Sequence, residues 1–148
     1  MVDPEHMTNP TDRPGPQVWH TLRYHDAPAA LGYLVEVFGF EVVLRVDSGD
    51  DPEIVEHAQL RWPEGDSGIM LGSHRESPEW PSPTGHAACY VSTDHVTEIW
   101  ARVQKAGFRV VNPLHEDGYD AGNPAAQSFG VADPEGNLWS FGSYRGES

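Results

Sequence analysis

A degenerate internal repeat constrains what this chain can fold into more than any other feature. The segment DPEGNLWSFG at 133–142 resembles WPEGDSGIMLG at 62–72, and GFRVV at 107–111 resembles GFEVV at 39–43. In both halves a helix-forming stretch ends in glycine and leads directly into an apolar strand. The repeat therefore predicts two copies of one supersecondary unit, neither of which can bury its open sheet face alone.

Hydrophobic periodicity predicts the same element order, strand-helix-strand-strand-strand, in each half of the chain. In the first half, the helix at 26–39 carries an apolar stripe of Leu31, Leu34, Val35 and Phe38, and Asp26 is its expected cap. The first-half strands are expected at 18–24, 40–46, 53–62 and 68–72. The second half is expected to have a helix at 94–107 and strands at 86–92, 108–114, 125–133 and 137–144. Pairing two such halves, or two chains, would close a cup whose concave face can hold a ligand.

The chain length and the distribution of proline predict the domain organisation. A chain of 148 residues suits one compact domain. Residues 1–16 hold four prolines and few apolar side chains, so a disordered N-terminal arm is expected there. The domain then covers 17–148, with module one at 17–73, a linker at 74–85 and module two at 86–145.

The charge balance argues against two classes of partner. Nine Lys and Arg face 23 Asp and Glu, which gives a formal net charge of −14. This charge repels nucleic acids and anionic membranes, so neither is an expected partner. It is compatible with a cationic ligand and equally with simple solubility. The lack of a signal-peptide pattern and the single cysteine, Cys89, predict a cytoplasmic protein whose thiol is buried and inert.

The repeat and its motifs resemble the vicinal oxygen chelate superfamily, which includes glyoxalase I, bleomycin-resistance proteins, extradiol dioxygenases and fosfomycin-resistance enzymes. The resemblance covers about residues 17–145 and is strongest for small glyoxalase-like proteins that end in DPEGNxWSFG. It implies an α+β fold of two βαβββ modules that form a curved mixed sheet cup, with helices on the convex side. It also implies a homodimer. In the metal enzymes of the superfamily, His or Gln on the first strand and Glu on the last strand of each module hold a divalent ion.

The residues at these metal-binding positions depart from the superfamily pattern. The two Glu positions are occupied by Met70 and Ser140, and neither side chain supplies a carboxylate. His20 and His86 lie on the two first strands and are the candidate metal ligands. However, His20 is one residue closer to its helix than the pattern requires, and such a shift turns a side chain to the other sheet face. A degenerate metal site is therefore expected.

Alternation along the strand at 53–62 predicts which of its side chains face the cup. Ile54, Ala58, Leu60 and Trp62 suit the helix-packed side, so the cup would receive Val55, His57, Gln59 and Arg61. His57 would be a third metal-binding imidazole, a general base or a pocket-lining residue. Trp139 and Phe141 are expected to pack under a helix rather than touch the ligand. The full set of ligand-binding candidates is His57, Gln59, Arg61, Met70, Tyr90, Tyr119 and Ser140.

Two segments outside the strands are candidates for covering the cup. Tyr119 belongs to a Gly-bearing loop at 115–123, which is a candidate lid. Trp80 lies in the linker, where an exposed indole would cover the cup, contact a second chain or simply lie on the surface.

Three functions follow from these features. The first is a glyoxalase/bleomycin-resistance-like protein that binds a small organic molecule, an antibiotic or a metabolite, in the cup, as in antibiotic resistance by drug sequestration. The alternative is a divalent-metal-dependent lyase, isomerase or dioxygenase, in which His20, His86 and His57 hold a metal that polarises substrate oxygens. The third is a structural or regulatory dimer whose cup is filled by apolar side chains. No catalytic residue is assigned by the sequence.

Overall fold

The computed structural model describes residues 16–118 and 125–146, which form two consecutive modules. Module one contains β1 (His20–Tyr24), α1 (Ala27–Tyr33), β2 (Glu41–Ser48), β3 (Asp51–Arg61) and β4 (Gly68–Ser73). Module two contains β5 (Ala88–Ser92), α2 (Val96–Ala106), β6 (Arg109–Glu116), β7 (Gln127–Ala132) and β8 (Leu138–Gly142). The predicted element order is confirmed in both modules. The predicted N-terminal arm lies outside the described residues, apart from Pro16.

Each module builds one four-stranded mixed sheet. The strand orders are β1-β4-β3-β2, which we call sheet one, and β5-β8-β7-β6, which we call sheet two. The first strand runs parallel to the last strand of its own module, and the other neighbours are antiparallel. This arrangement confirms the predicted α+β class of two βαβββ modules. The two sheets are separate, so they do not form the closed concave surface that was predicted. No helix in the described ranges is long and apolar enough to cross a membrane.

The helix of module one changes its form halfway along. The side chain of Asp26 caps its start, as predicted, by accepting a 3.1 Å hydrogen bond from a backbone N–H of the first turn. After α1, one π-helical turn at Leu34–Phe38 follows, and Gly39 ends it with a φ of 105°. Val35 was expected on the buried stripe but is exposed. The wider π turn changes the angular spacing of the side chains and so rotates Val35 out of the core.

A shared aromatic core joins the two modules. Phe38, in the π turn of module one, packs against Trp139 and Phe141 of β8, with ring centroids 5.3 Å and 4.9 Å apart. All three rings are buried. The prediction that Trp139 and Phe141 pack beneath a helix is therefore confirmed, since both rings contact Phe38 in the π turn that continues the helix of module one.

Strand β3 departs from simple alternation through a bulge. His57 pairs with Val46 of β2 and Val55 pairs with the next residue, Asp47, so one residue of β3 is extra. As a result Val55 is only 1% exposed in the core, while Ile54 is 44% exposed. The predicted orientations of these two residues were wrong, because the bulge reverses the alternation on its N-terminal side.

The second Pro-Glu-Gly turn fastens module two to module one. The Glu135 carboxylate accepts hydrogen bonds of 2.7 Å and 2.8 Å from the backbone N–H groups of His25 and Asp26, just before α1. A carboxylate at this position also favours the helix because the N-terminal end of the helix dipole is positive.

The first Pro-Glu-Gly turn makes the reciprocal contact. The Glu64 carboxylate accepts a 2.6 Å hydrogen bond from the Thr93 hydroxyl and a 2.7 Å bond from the backbone N–H of Asp94, just before α2. The short sequence repeat therefore has a physical reason. Each copy supplies a carboxylate that holds the helix start of the opposite module.

Removal of either turn carboxylate is expected to loosen the contact between the modules. Glu135→Ala and Glu64→Ala should each lower the free energy of unfolding by about 1–2 kcal/mol, because each change leaves two donors without a charged acceptor. Urea denaturation measures this loss. Glu79→Ala, which removes an exposed carboxylate from the linker, is the matched control and should change stability by less than about 0.5 kcal/mol. Equal effects for all three variants would contradict the reciprocal contact.

Candidate functional site

The open face of sheet one carries the side chains that alternate with the core residues. Thr21 of β1 and Gln59 of β3 both lie beside Met70 of β4 in the register of the sheet. Their neighbours Leu22 and Leu71 point the other way and are buried. A side chain at any of these open-face positions can therefore reach a ligand without disturbing the core.

A cavity of about 440 Å³ lies on this open face. We call it the cup. It is bounded by sheet one, by the linker and by the start of module two. The side chains that line it include those of Arg23, Glu56, His57, Met70, Trp80, Pro81, Pro83 and His86.

The linker supplies one wall of the cup. Trp80 lines the cavity together with Pro81 and Pro83, although 76% of Trp80 is exposed to solvent. Its backbone N–H donates a 3.2 Å hydrogen bond to the hydroxyl of Ser77, which shapes the local turn. Trp80 therefore both borders the cup and lies on the surface of the single chain, and contact with a second chain stays a prediction.

The structure brings two of the predicted ligand-binding residues together, since His57 and Met70 both line the cup. His86, a predicted metal ligand, lines the cup as well, but it precedes β5 instead of lying on that strand. Gln59 lies on the same sheet face, next to Met70. Arg61 is exposed and pairs with Glu41, with 3.0 Å between Nε and the carboxylate oxygen.

Two other predicted residues lie on the open face of sheet two. Tyr90 and Ser140 are paired in the register of β5 and β8, and both line a separate cavity of about 440 Å³. The Tyr90 hydroxyl donates a 2.5 Å hydrogen bond to the carbonyl oxygen of Tyr144. Tyr119 lies outside the described residues, as does the part of the candidate lid beyond residue 118.

The structure places the two predicted metal-binding histidines in different cavities. His86 lines the cup, whereas His20 pairs with Ile69 on the helix-facing side and lines a third cavity of about 490 Å³. The position beside Met70 is taken by Thr21. The offset of one residue thus places His20 on the face opposite to that of Thr21.

His20 is a partly buried imidazole with an unpaired nitrogen. Its Nε2 atom is buried and has no hydrogen-bond partner, and burial lowers the pKa of this side chain. Cys89 lines the same cavity, and burial raises the pKa of its thiol. The thiol therefore stays protonated near neutral pH, as expected for an inert cysteine.

The lowered pKa of His20 makes stability depend on pH. When the pH falls below about 6.5, the ordinary pKa of His, this side chain is protonated in the unfolded chain but stays neutral in the folded chain. Protonation therefore favours the unfolded chain. Wild-type protein should therefore lose stability between about pH 7.5 and 5.5, and His20→Gln should lose less. Urea denaturation at the two pH values measures the difference. A slope in His20→Gln that equals the wild-type slope would contradict the assignment.

The donor set does not fit the metal site of the superfamily. Met70 and Ser140 occupy the carboxylate positions, and Thr21 and Tyr90 lie beside them in the sheets. Within the described residues, no group of three or more His, Cys, Asp or Glu side chains is placed to hold a metal ion. These residues therefore support no metal-dependent reaction step.

Paired βαβββ modules, with a cavity on the open face of a sheet, define a glyoxalase-like protein. The family model of the Glyoxalase/Bleomycin resistance protein/Dioxygenase superfamily matches residues 17–141. The chain belongs to this superfamily, as the sequence motifs predict. No curated protein matches the chain.

Solved structures show the same fold. TioX from Micromonospora sp. ML1 is 28% identical, with a TM-score of 0.66, and the match covers 86% of this chain and 98% of TioX. A glyoxalase/bleomycin resistance protein from Streptomyces sp. CB03234 is 22% identical, with coverage of 83% and 96% and a TM-score of 0.58. The fosfomycin resistance protein FosX from Listeria monocytogenes, complexed with Mn(II) and sulfate, is 14% identical, with coverage of 89% and 94% and a TM-score of 0.56.

Proposed function

We propose that this chain is a cytoplasmic protein that binds a small organic molecule, an antibiotic or a metabolite, in the cup. The observation that carries the proposal is the convergence of His57, Met70, Trp80 and His86 on one cavity of about 440 Å³. This volume lies within the range of about 300–1,000 Å³ that is usual for small-molecule sites. The single cysteine, which permits no internal disulfide, supports a cytoplasmic location.

The composition of the cup favours binding over chemistry. Its apolar surface comes from the thioether of Met70 and the rings of Trp80, Pro81 and Pro83, which can adapt to a flat organic ligand. The imidazoles add a few orienting hydrogen bonds. The superfamily includes bleomycin resistance proteins, which supports sequestration of a drug as the biological use of such a cup.

A thermal-shift screen against antibiotics and small metabolites tests the proposal. A ligand present at 100 times its Kd stabilises the folded state by about 2.7 kcal/mol, which raises the Tm of a domain of this size by several degrees. Hits should stabilise Trp80→Ala by only about 0.4–1.4 kcal/mol, as a tenfold to hundredfold loss of affinity implies, and should keep their full effect on Tyr90→Phe, which alters the separate cavity of sheet two. Hits that stabilise Trp80→Ala as much as the wild type would contradict the cup as the site.

We also propose that the chain forms a homodimer. The outer strands β2 and β6 expose apolar side chains, with Val43 54% exposed and Val111 50% exposed. An edge strand also presents unpaired backbone groups, which a second chain can satisfy. A second copy of this chain would bury these apolar side chains on the outer strands of both modules.

Disruption of the outer strand is expected to dissociate the dimer. Val43→Lys places a charge in the apolar surface and should convert the wild-type dimer to a monomer in sedimentation equilibrium. Val18→Lys is the matched control, because Val18 is 88% exposed and precedes β1. A wild type that is monomeric at micromolar concentrations, or a Val43→Lys variant that remains dimeric, would contradict the proposed interface.

A further inference from the structure

Arg23 has more hydrogen-bond donors than its surroundings use. It lies on β1, is half-buried, and lines both the cup and an adjoining cavity of about 400 Å³. Its Nη1 atom donates a 3.3 Å hydrogen bond to the carbonyl oxygen of Ser73, but a guanidinium carries five N–H donors. Gly72 lets the guanidinium lie close to β4, because a Cβ at that position would collide with Nη1.

The carboxylate nearest to this guanidinium is engaged elsewhere. Glu56 lines the cup, but its Oε1 atom lies 3.4 Å from Nη1 of Arg75, which lines the adjoining cavity. Burial and, second, the positive charge of Arg75 lower the pKa of Arg23, while Glu56 offsets part of this effect. Glu56 pairs with Arg75, and among the described residues no carboxylate lies within ion-pair distance of Arg23, so the charge of Arg23 is available to a ligand in the cup that it lines.

The overall charge of the chain points toward the opposite ligand type. The net charge of −14 attracts cations. However, this long-range field is screened over about 8 Å at physiological ionic strength, whereas a contact pair at a half-buried site is screened much less. A contact with the local guanidinium can therefore outweigh the long-range field of the chain.

We propose that the cup selects a small aromatic acid, whose carboxylate pairs with Arg23 and whose ring lies against Trp80. The pairing would use the two-pronged geometry of an Arg–carboxylate contact. This inference rests on the proposed function, since it specifies the ligand class of the same cup.

Three probes with one ring system test the inference by isothermal titration calorimetry at about 0.15 M salt. They are naphthalene-2-carboxylate, naphthalene-2-carboxamide and 2-naphthylmethylammonium, which differ chiefly in charge. We expect the carboxylate to bind at least about tenfold more tightly than either of the others. Arg23→Gln should abolish this preference, and Arg23→Lys should retain part of it. Arg109→Gln removes the same charge from exposed β6 and should retain the preference in full.

The wild-type comparison among probes needs no variant, so a folding defect in Arg23→Gln would not prevent the test. Equal or tighter binding of the amide or the ammonium probe would overturn the inference and leave the proposed function intact. Carboxylate binding that Arg23→Gln leaves within twofold would also overturn it. Absence of binding by all three probes would overturn the aromatic-acid class, while the thermal-shift screen with Trp80→Ala judges the cup itself.

Discussion

Asp133→Ala is expected to lower the free energy of unfolding by about 3–5 kcal/mol, because it leaves two buried ring donors without an acceptor. Asp133 is 4% exposed, and its carboxylate accepts hydrogen bonds from the Tyr24 hydroxyl at 2.8 Å and from Trp139 Nε1 at 3.0 Å. It also accepts bonds from the side chain and backbone of Asn137. Burial and the Asp133 charge raise the pKa of Tyr24, so the hydroxyl remains a donor. This carboxylate thus connects β1 of module one to the last turn of module two.

Urea denaturation of Asp133→Ala measures this effect, and thermal melting should show a fall of about ten degrees. Asp66→Ala is the matched control, since Asp66 is exposed in the corresponding turn of module one. The control should stay within about 0.5 kcal/mol of the wild type. Tyr24→Phe removes one of the donors and should cost about 1 kcal/mol. A loss below about 1 kcal/mol in Asp133→Ala would contradict a central role for this network.

Trp80→Ala is expected to weaken ligand binding in the cup by about tenfold to a hundredfold, because a rigid aromatic ring supplies a large contact area. Stability should change by less than about 0.5 kcal/mol, since Trp80 is largely exposed in the absence of ligand. Calorimetric titration with the strongest hit of the screen measures the affinity, and urea denaturation measures the stability.

Two further variants sharpen the Trp80 test. Trp80→Phe keeps an aromatic surface and should show an intermediate affinity, while Tyr90→Phe should bind as the wild type does. An unchanged affinity in Trp80→Ala would contradict the cup as the binding site. A large loss of stability in the same variant would instead show that the indole supports the fold.

The element order could be predicted from sequence because the signals are local. Each helix carries an apolar face and ends in a glycine with a left-handed backbone, Gly39 and Gly107. The bulge in β3 could not be predicted in this way, because it depends on the pairing with β2. The contacts of the two turn carboxylates with the opposite module could not be predicted from local sequence either, since Glu135 and His25 are 110 positions apart.

Part of the candidate site could also be predicted, because local sequence patterns mark some of its residues. His57 follows from alternation on the C-terminal side of the bulge in β3. Met70 and His86 were singled out by the superfamily pattern of metal-ligand positions, and both line the cup. Arg23 was not predicted, because the superfamily pattern singles out His20, which lies on the opposite face of β1. Counting the alternation of β1 from Tyr24, the buried end of the strand, would have placed Thr21 and Arg23 on the open face.

The methyl group of Met70 offers the most direct test of ligand binding in the cup. The chain has three methionines, and Met1 and Met7 lie outside the described residues. A protein labelled with ¹³C at the methionine methyl groups should give three NMR signals, with Met70→Leu assigning the one from the cup. We expect a stabilising ligand to shift the Met70 signal in proportion to its binding. A ligand that stabilises the protein but leaves the Met70 signal unmoved would contradict it.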